Sequence, residues 1–144
     1  MESKNTSSKD TPFREPGGTS FAPVLAIVNG TTDISFYQKA FNATENFCLR
    51  NDDGSIHVAE LVIDGAVFHI HEITQFSHTI PAMAGGTVNI GLFVNDVYAV
   101  FNQAIEAGAT LIVPVTDYDY GYRQGEFIDP FGHKWIIQKR LEIN

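Results

Sequence analysis

The feature that most constrains this 144-residue chain is an internal repeat. From Phe21, the apolar run FAPVLAIV leads through Asn29-Gly30 and Thr31-Thr32-Asp33 into the amphipathic stretch ISFYQKAF. NFCLRNDD, IHVAELVI and AVFHIHEI follow, separated by turn signals at Asp53-Gly54 and Asp64-Gly65. The order then starts again. TVNIGLFV passes through Asn95-Asp96 into VYAVFNQAIEAG, and LIVPV, GEFI and KWIIQ complete the second copy. Even the wording recurs: Val28-Asn29 matches Val94-Asn95, Glu60-Leu61-Val62 matches Glu126-Phe127-Ile128, and Gly65 stands opposite Gly132. The period, about 65 to 67 residues, is too long for a solenoid unit, and two copies suit a duplicated domain.

Each copy reads as β-α-β-β-β. Ile34, Tyr37 and Phe41 share one helical face in the first copy, and Val97, Phe101, Ala104 and Ile105 share one in the second. Thr31-Thr32-Asp33 and Asn95-Asp96 offer N-cap chemistry, while Asn42 and Gly108 suit a left-handed terminus. A single helix can cover one face of four strands and leave the other to curve around something else. The expected fold is therefore α+β: two βαβββ repeats forming an eight-stranded incomplete barrel with a concave cleft. A ferredoxin-like arrangement would want two strands per helix and fits less well. Residues 21–140 form this single domain, with halves at 21–73 and 87–140 joined by a small-residue linker, 74–86. Residues 1–20 are polar with Pro and Gly and read as a disordered tail, and 141–144 as a short C-terminal tail.

A formal net charge of −8 argues against nucleic acid, which needs a basic face. No apolar run approaches a membrane span, and residues 1–20 lack the apolar core of a signal peptide. Cys48 is the only cysteine, which excludes an intrachain disulfide or thiolate cluster and fits a cytoplasmic protein. No nucleophile triad, phosphate loop or dinucleotide fingerprint is present.

Strand alternation sorts the remaining residues by face. On AVFHIHEI, Phe68 and Ile70 oppose Val67, His69 and His71. On KWIIQ, Trp135 and Ile137 oppose Lys134, Ile136 and Gln138, and on TVNIGLFV the set Asn89, Gly91 and Phe93 opposes Ile90 and Leu92. The bulky sets should pack on the helices, which leaves His69, His71, Asn89, Lys134 and Gln138 for the cleft. The loop from Tyr118 to Arg123 adds contact area and hydroxyls from Tyr120 and Tyr122, and a guanidinium from Arg123 that can fork onto an oxyanion. These eight residues are the candidate ligand-binding set for a small organic molecule. Glu60 and Glu126, at equivalent strand positions, could act as an acid–base pair, but Glu on a strand is more often a solvated edge residue.

The closing segment YGYRQGEFIDPFGHKW, with its DPFG reversal before KWIIQ, resembles the closing hairpin of the vicinal-oxygen-chelate superfamily: glyoxalase I, bleomycin-resistance proteins and extradiol dioxygenases. Its wording is closest to the PhnB-like branch, and the resemblance spans residues 21–140. It implies the paired βαβββ fold, a pocket with this loop at its mouth, and a homodimer. It also implies a divalent metal held by one residue from the first and last strand of each half. Carried onto this chain, those positions are His69, Ile136, Asn89 and either Ala22 or Pro23. Only His69 offers a good ligating side chain, so the expectation is a small-molecule-binding protein without the family metal. Two other readings stand beside it. One is a metal-dependent lyase or dioxygenase with a relocated site of His57, His69 and His71; the other is a dimeric interaction module without a ligand.

Overall fold

A computed structural model describes residues 18–73 and 88–142. The expected tail lies almost wholly outside the described residues, as does the linker with His78; of 141–144, only residues 141 and 142 are described.

The repeat becomes two open four-stranded mixed sheets, and the eight strands do not close into one barrel. The first contains β1 (Val24–Ile27), β2 (Thr44–Arg50), β3 (Ile56–Ile63) and β4 (Ala66–Glu72), in the order β1-β4-β3-β2. The second contains β5 (Ile90–Phe93), β6 (Thr110–Tyr118), β7 (Tyr122–Ile128) and β8 (Lys134–Arg140), in the equivalent order β5-β8-β7-β6. In both, the first strand runs parallel to the last and the remaining pairs are antiparallel. The registers coincide: Leu61 faces Phe68 as Phe127 faces Trp135, and Glu60 faces His69 as Glu126 faces Ile136.

The alternation read from sequence holds. Phe68, Ile70, Trp135 and Ile137 are buried, whereas Val67, His69, Lys134, Ile136 and Gln138 are half-buried and His71 is exposed. The helices are α1 (Phe36–Phe41) and α2 (Val97–Ala107). Asn42 ends α1 at φ 57°, the left-handed conformation expected of it, and Asp96 caps α2 by accepting from Ala99 N at 3.0 Å. The start of α1 lies later than the Thr31-Thr32-Asp33 signal suggests. Asp33 Oδ1 accepts Ser35 N at 2.8 Å, so the aspartate closes a local turn ahead of the helix instead of capping it.

The described residues group into two compact units, and the division is not the contiguous one the repeat suggests. The first unit comprises residues 18–32 and 43–73, hence β1–β4 without a helix. Residues 33–42 group with 88–142, so the second unit holds both α1 and α2 with β5–β8. The side chains explain why. Phe41 packs on Trp135 with ring centroids 4.8 Å apart and stacks on Phe127 at 6.1 Å. Tyr37, fully buried, stacks on Phe131 at 5.8 Å. Phe101 of α2 lies over Gly125, where a Cβ would come within 2.7 Å of its ring, so a glycine is needed there for close helix–strand approach.

Asp129 ties this packing together. Its Oδ2 accepts from Tyr37 Oη at 2.6 Å and Trp135 Nε1 at 3.0 Å, and its Oδ1 accepts from the backbone N–H of Phe131 and His133 at 2.9 and 3.0 Å. Four donors compensate a carboxylate that is 3% exposed. Burial, and secondarily the neighbouring carboxylate, push the Tyr37 phenol above its ordinary value, so the hydroxyl remains a donor. Tyr37→Phe is expected to lower unfolding free energy by about 1–3 kcal/mol, and Asp129→Ala by more, because it removes the acceptor that four donors share. Urea unfolding measures both. Equal, negligible losses would show that the network is ornamental.

Candidate functional site

In the first sheet, the face opposite Phe68 and Ile70 is assembled by register. Glu60 on β3 pairs with His69 on β4, Val58 with His71, and Val62 with Val67. Val24 and Ala26 of β1 pair with His69 and His71, and Phe47 and Leu49 of β2 pair with Glu60 and Val58. His69 and His71 stack with centroids 6.3 Å apart. Glu60 is 1% exposed, not the solvated edge residue expected of it. Its Oε1 lies 2.9 Å from His69 Nε2 and its Oε2 accepts from Asn46 Nδ2 at 2.9 Å, so side-chain partners on both neighbouring strands keep it inside.

His57 points elsewhere. It shares the alternation of Ala59 and Leu61, and its Nδ1 lies 2.5 Å from Glu72 Oε2. Glu72 Oε1 also accepts from Asn29 at 2.6 Å and Asn51 at 3.2 Å, so this cluster staples the loops at one end of the sheet. The relocated set of His57, His69 and His71 is therefore not brought together. Among the described residues, no group of three or more His, Cys, Asp or Glu side chains converges as a metal site.

In the second sheet, the face opposite Trp135 and Ile137 carries Tyr122, Gln124 and Glu126 of β7, Lys134, Ile136 and Gln138 of β8, and Gly91 and Phe93 of β5. Lys134 Nζ and Glu126 Oε1 form an ion pair at 2.9 Å. Gln124 Nε2 donates to Gln138 Oε1 at 2.8 Å, while Gln124 Oε1 accepts from Tyr120 Oη at 2.9 Å. Gln138 Nε2 then lies over Gly91, where a Cβ would come within 2.7 Å. Around this amide chain stand aromatic rings: Tyr118 stacks on Tyr120 at 5.2 Å, Tyr122 lies 5.9 Å from Tyr120, and Phe93 meets Tyr122 edge-on at 6.2 Å. Asn89 is exposed just before β5 on the same alternation.

Arg123 is the displaced member of the candidate set. The stretch read as an aromatic loop is a tight hairpin: β6 runs to Tyr118, Gly121 turns the chain at φ 96°, and Tyr122 and Arg123 already belong to β7. Alternation then turns Arg123 to the helix side, away from Tyr122 and Gln124. There it grips Asp117 through Nε at 2.6 Å and Nη2 at 3.0 Å and lies 5.2 Å over the Tyr98 ring of α2. That bidentate bond holds the Asp117 carboxyl below its ordinary value. Gln124, which sequence reasoning missed, belongs to the polar face, as does Phe93, which alternation had sorted there without making it a candidate. The period-2 spacing of Gln124 from Tyr122 could have revealed it.

The strand register also resolves the first family position. His69 pairs with Val24 and Ile136 with Gly91, so the counterpart of Asn89 is Ala22, not Pro23. The four positions where this fold carries its divalent ion thus hold alanine, asparagine, isoleucine and a histidine whose Nε2 already lies on Glu60. An ion needs several hard donors converging, and this set does not fit one.

A family profile described as the Glyoxalase/Bleomycin resistance protein/Dioxygenase superfamily matches residues 27–137. This chain belongs to that superfamily. Relatives in Mycobacterium bovis and Mycobacterium tuberculosis, both described as uncharacterised, are 36% identical over 129 residues; the match spans 85% of this chain and 85% or 76% of theirs. Among solved structures, TioX from Micromonospora sp. ML1 superposes with a TM-score of 0.63 at 23% identity, covering 85% of this chain and 100% of that one. The fosfomycin resistance protein FosX from Listeria monocytogenes gives 0.61 at 17%, covering 85% and 93%. A putative 3-demethylubiquinone-9 3-methyltransferase, PhnB protein, from Bacillus cereus gives 0.62 at 13%, covering 84% and 99%. At these identities the likeness to the solved structures shows the fold alone.

Two groups on the first sheet make stability depend on pH. Burial, then the charges of His69 and His57, hold His71 below the ordinary imidazole value of 6.5. The hydrogen bond from His57, then those from Asn29 and Asn51, hold Glu72 below the ordinary value of 4.5. Both groups take up a proton more readily unfolded than folded, so acid favours the unfolded chain. The melting temperature should therefore fall in two stages on acidification, first below about pH 6.5 and again below about pH 4.5. His71→Asn should flatten the upper stage alone. A melting temperature that rises over that upper stage would contradict the assignment.

Proposed function

We propose that this protein is a PhnB-like, glyoxalase/bleomycin-resistance-type protein that binds a small organic molecule without the superfamily's divalent metal. The observation that carries this reading is the face on which Tyr120, Gln124 and Gln138 link their side chains beside Phe93 and Tyr122. Aromatic area with a few oriented polar groups is what a small-molecule site needs. The amide chain is directional: Gln124 accepts from Tyr120 and donates to Gln138, which orients the Gln138 amide over Gly91. The metal-free part of the reading is supported by the four ligand positions, where one imidazole stands alone and a single imidazole holds a divalent ion too weakly. We place the protein in the cytoplasm on its single cysteine, and no helix among the described residues is long and apolar enough to cross a membrane. By family likeness we take it to be a homodimer, which sedimentation at micromolar concentration checks against the 15.9 kDa monomer.

The deciding experiment is a thermal-shift screen of small organic compounds with and without Mn, Fe, Ni and Zn. Organic hits are expected to stabilise the protein alike in both series, and EDTA should leave the melting temperature unchanged. Stoichiometric metal that is lost on His69→Ala would overturn the reading and restore metal chemistry. Gly91→Ala sharpens the test. The new methyl displaces only the end of the flexible Gln138 side chain, so the melting temperature should hold. Binding of a hit that uses the Gln138 amide should weaken by about 1–3 kcal/mol, the cost of losing one buried hydrogen bond.

A further inference from the structure

The duplication sets up a comparison within one chain. At matching register, Glu60 faces His69 in the first sheet and Glu126 faces Ile136 in the second. Glu126 turns to Lys134, at 21% side-chain exposure. Glu60 has been drawn inside, at 1%, onto His69. Burying a carboxylate costs several kcal/mol unless its oxygens are met, and an apolar residue would serve the sheet as well or better. Both oxygens are met, one by His69 Nε2 and the other by Asn46 Nδ2.

A carboxylate can only accept, so the hydrogen shared with it sits on Nε2. The neutral ring then carries its lone pair on Nδ1. Carboxylates fix imidazole tautomers in this way wherever the second nitrogen has work to do. His69 keeps 30% of its side chain exposed, so its ring is reachable. Its surroundings define what can reach it. Val24, Phe47 and Leu49 on the same face are exposed hydrophobics, and Val58, Val67 and Ala26 complete the wall. The described residues of this unit contain no lysine and one arginine, Arg50, which donates to the carbonyls of Thr32 and Gly54. Among these described residues an anion would find no lysine and an arginine already engaged. A largely apolar molecule with one hydroxyl would find both an apolar wall and an acceptor.

We propose that Glu60 is a positioning residue that holds His69 as the Nε2–H tautomer, with Nδ1 as the acceptor for the hydroxyl of a neutral phenol-type ligand. This names a ligand class and deepens the small-molecule reading above, on which it rests. His71 stacks beside His69 as a second ring of the same wall. Its preference for the neutral form, set by burial and by its histidine neighbours, avoids a cation next to an uncharged ligand.

Two measurements test the dyad and the ligand class separately. Long-range ¹⁵N–¹H NMR of the imidazoles, at a pH where the rings are neutral, should show His69 as the Nε2–H tautomer in the wild type and in Glu60→Gln, which keeps an acceptor oxygen. Glu60→Met should give an averaged, mixed-tautomer signature. An Nδ1–H tautomer in the wild type overturns the proposal even if Glu60→Met fails to fold. For binding, 4-chlorophenol is compared with 4-chloroanisole, its O-methyl ether, at that same pH, where the phenol too is neutral. The phenol should bind about tenfold more tightly, as one hydrogen bond implies, and His69→Ala should abolish the difference. Equal affinities, or His69 and His71 resonances that neither compound moves, overturn this proposal. Organic hits from the thermal screen would still leave the broader small-molecule reading standing.

Discussion

The Asp129 carboxylate is the constraint on which the second unit depends. It sits at the start of the β7–β8 turn, and its four hydrogen bonds reach the turn backbone, a strand indole and a helix phenol. Each partner would be a liability alone, since a buried N–H or O–H without an acceptor costs about as much as several methylenes contribute. Together they define one geometry for α1 against β8. Among the described residues no buried side-chain polar atom is left without a partner, which is the condition for such a network to rigidify a core. The turn thus does more than reverse the chain: it determines which sheet the first helix joins.

The two sheets share register along β3–β4 and β7–β8, yet their polar faces have diverged. One presents an imidazole on a buried carboxylate within an apolar wall. The other presents an amide chain, an ion pair and a group of tyrosines. The divergence involves single side chains at conserved geometry: Ile136 where the first sheet has His69, and Gly91 where it has Val24. A fold built twice supplies two platforms, and substitutions of this size separate their chemistry without disturbing either strand ladder.

Much of this was legible in the residues. Period-2 alternation sorted Phe68 from His69 and Trp135 from Gln138 because one face of each strand must be apolar and the other need not be. Asn42 and Gly108 announced positive φ through residue type. Three things were not legible, each for a physical reason. The allegiance of α1 depends on Tyr37 meeting Asp129, 92 residues away, and no local pattern encodes that distance. The orientation of Arg123 turned on where β6 ends. The strands were read as LIVPV and GEFI with a loop between them, but the ladder continues to Tyr118 and resumes at Tyr122, so Arg123 lies in β7 and alternation turns it to the helix side. The burial of Glu60 depended on Asn46, which lies at a register irregularity between Glu45 and Phe47 that strict alternation does not foresee.

The membership of α1 in the second unit has a consequence for how the chain comes into being. A duplicated gene would ordinarily make two products that could each be finished in turn. Here the helix leaves the ribosome with the first copy, while Phe127, Asp129 and Trp135, which complete its surroundings, follow only with the last two strands of the second copy. Until those strands are made, Tyr37 cannot reach Asp129, nor Phe41 the Trp135 ring. The ancestral seam between the copies has therefore ceased to be a place where the molecule can be divided: a cut there would release a fragment whose helix belongs to the other piece.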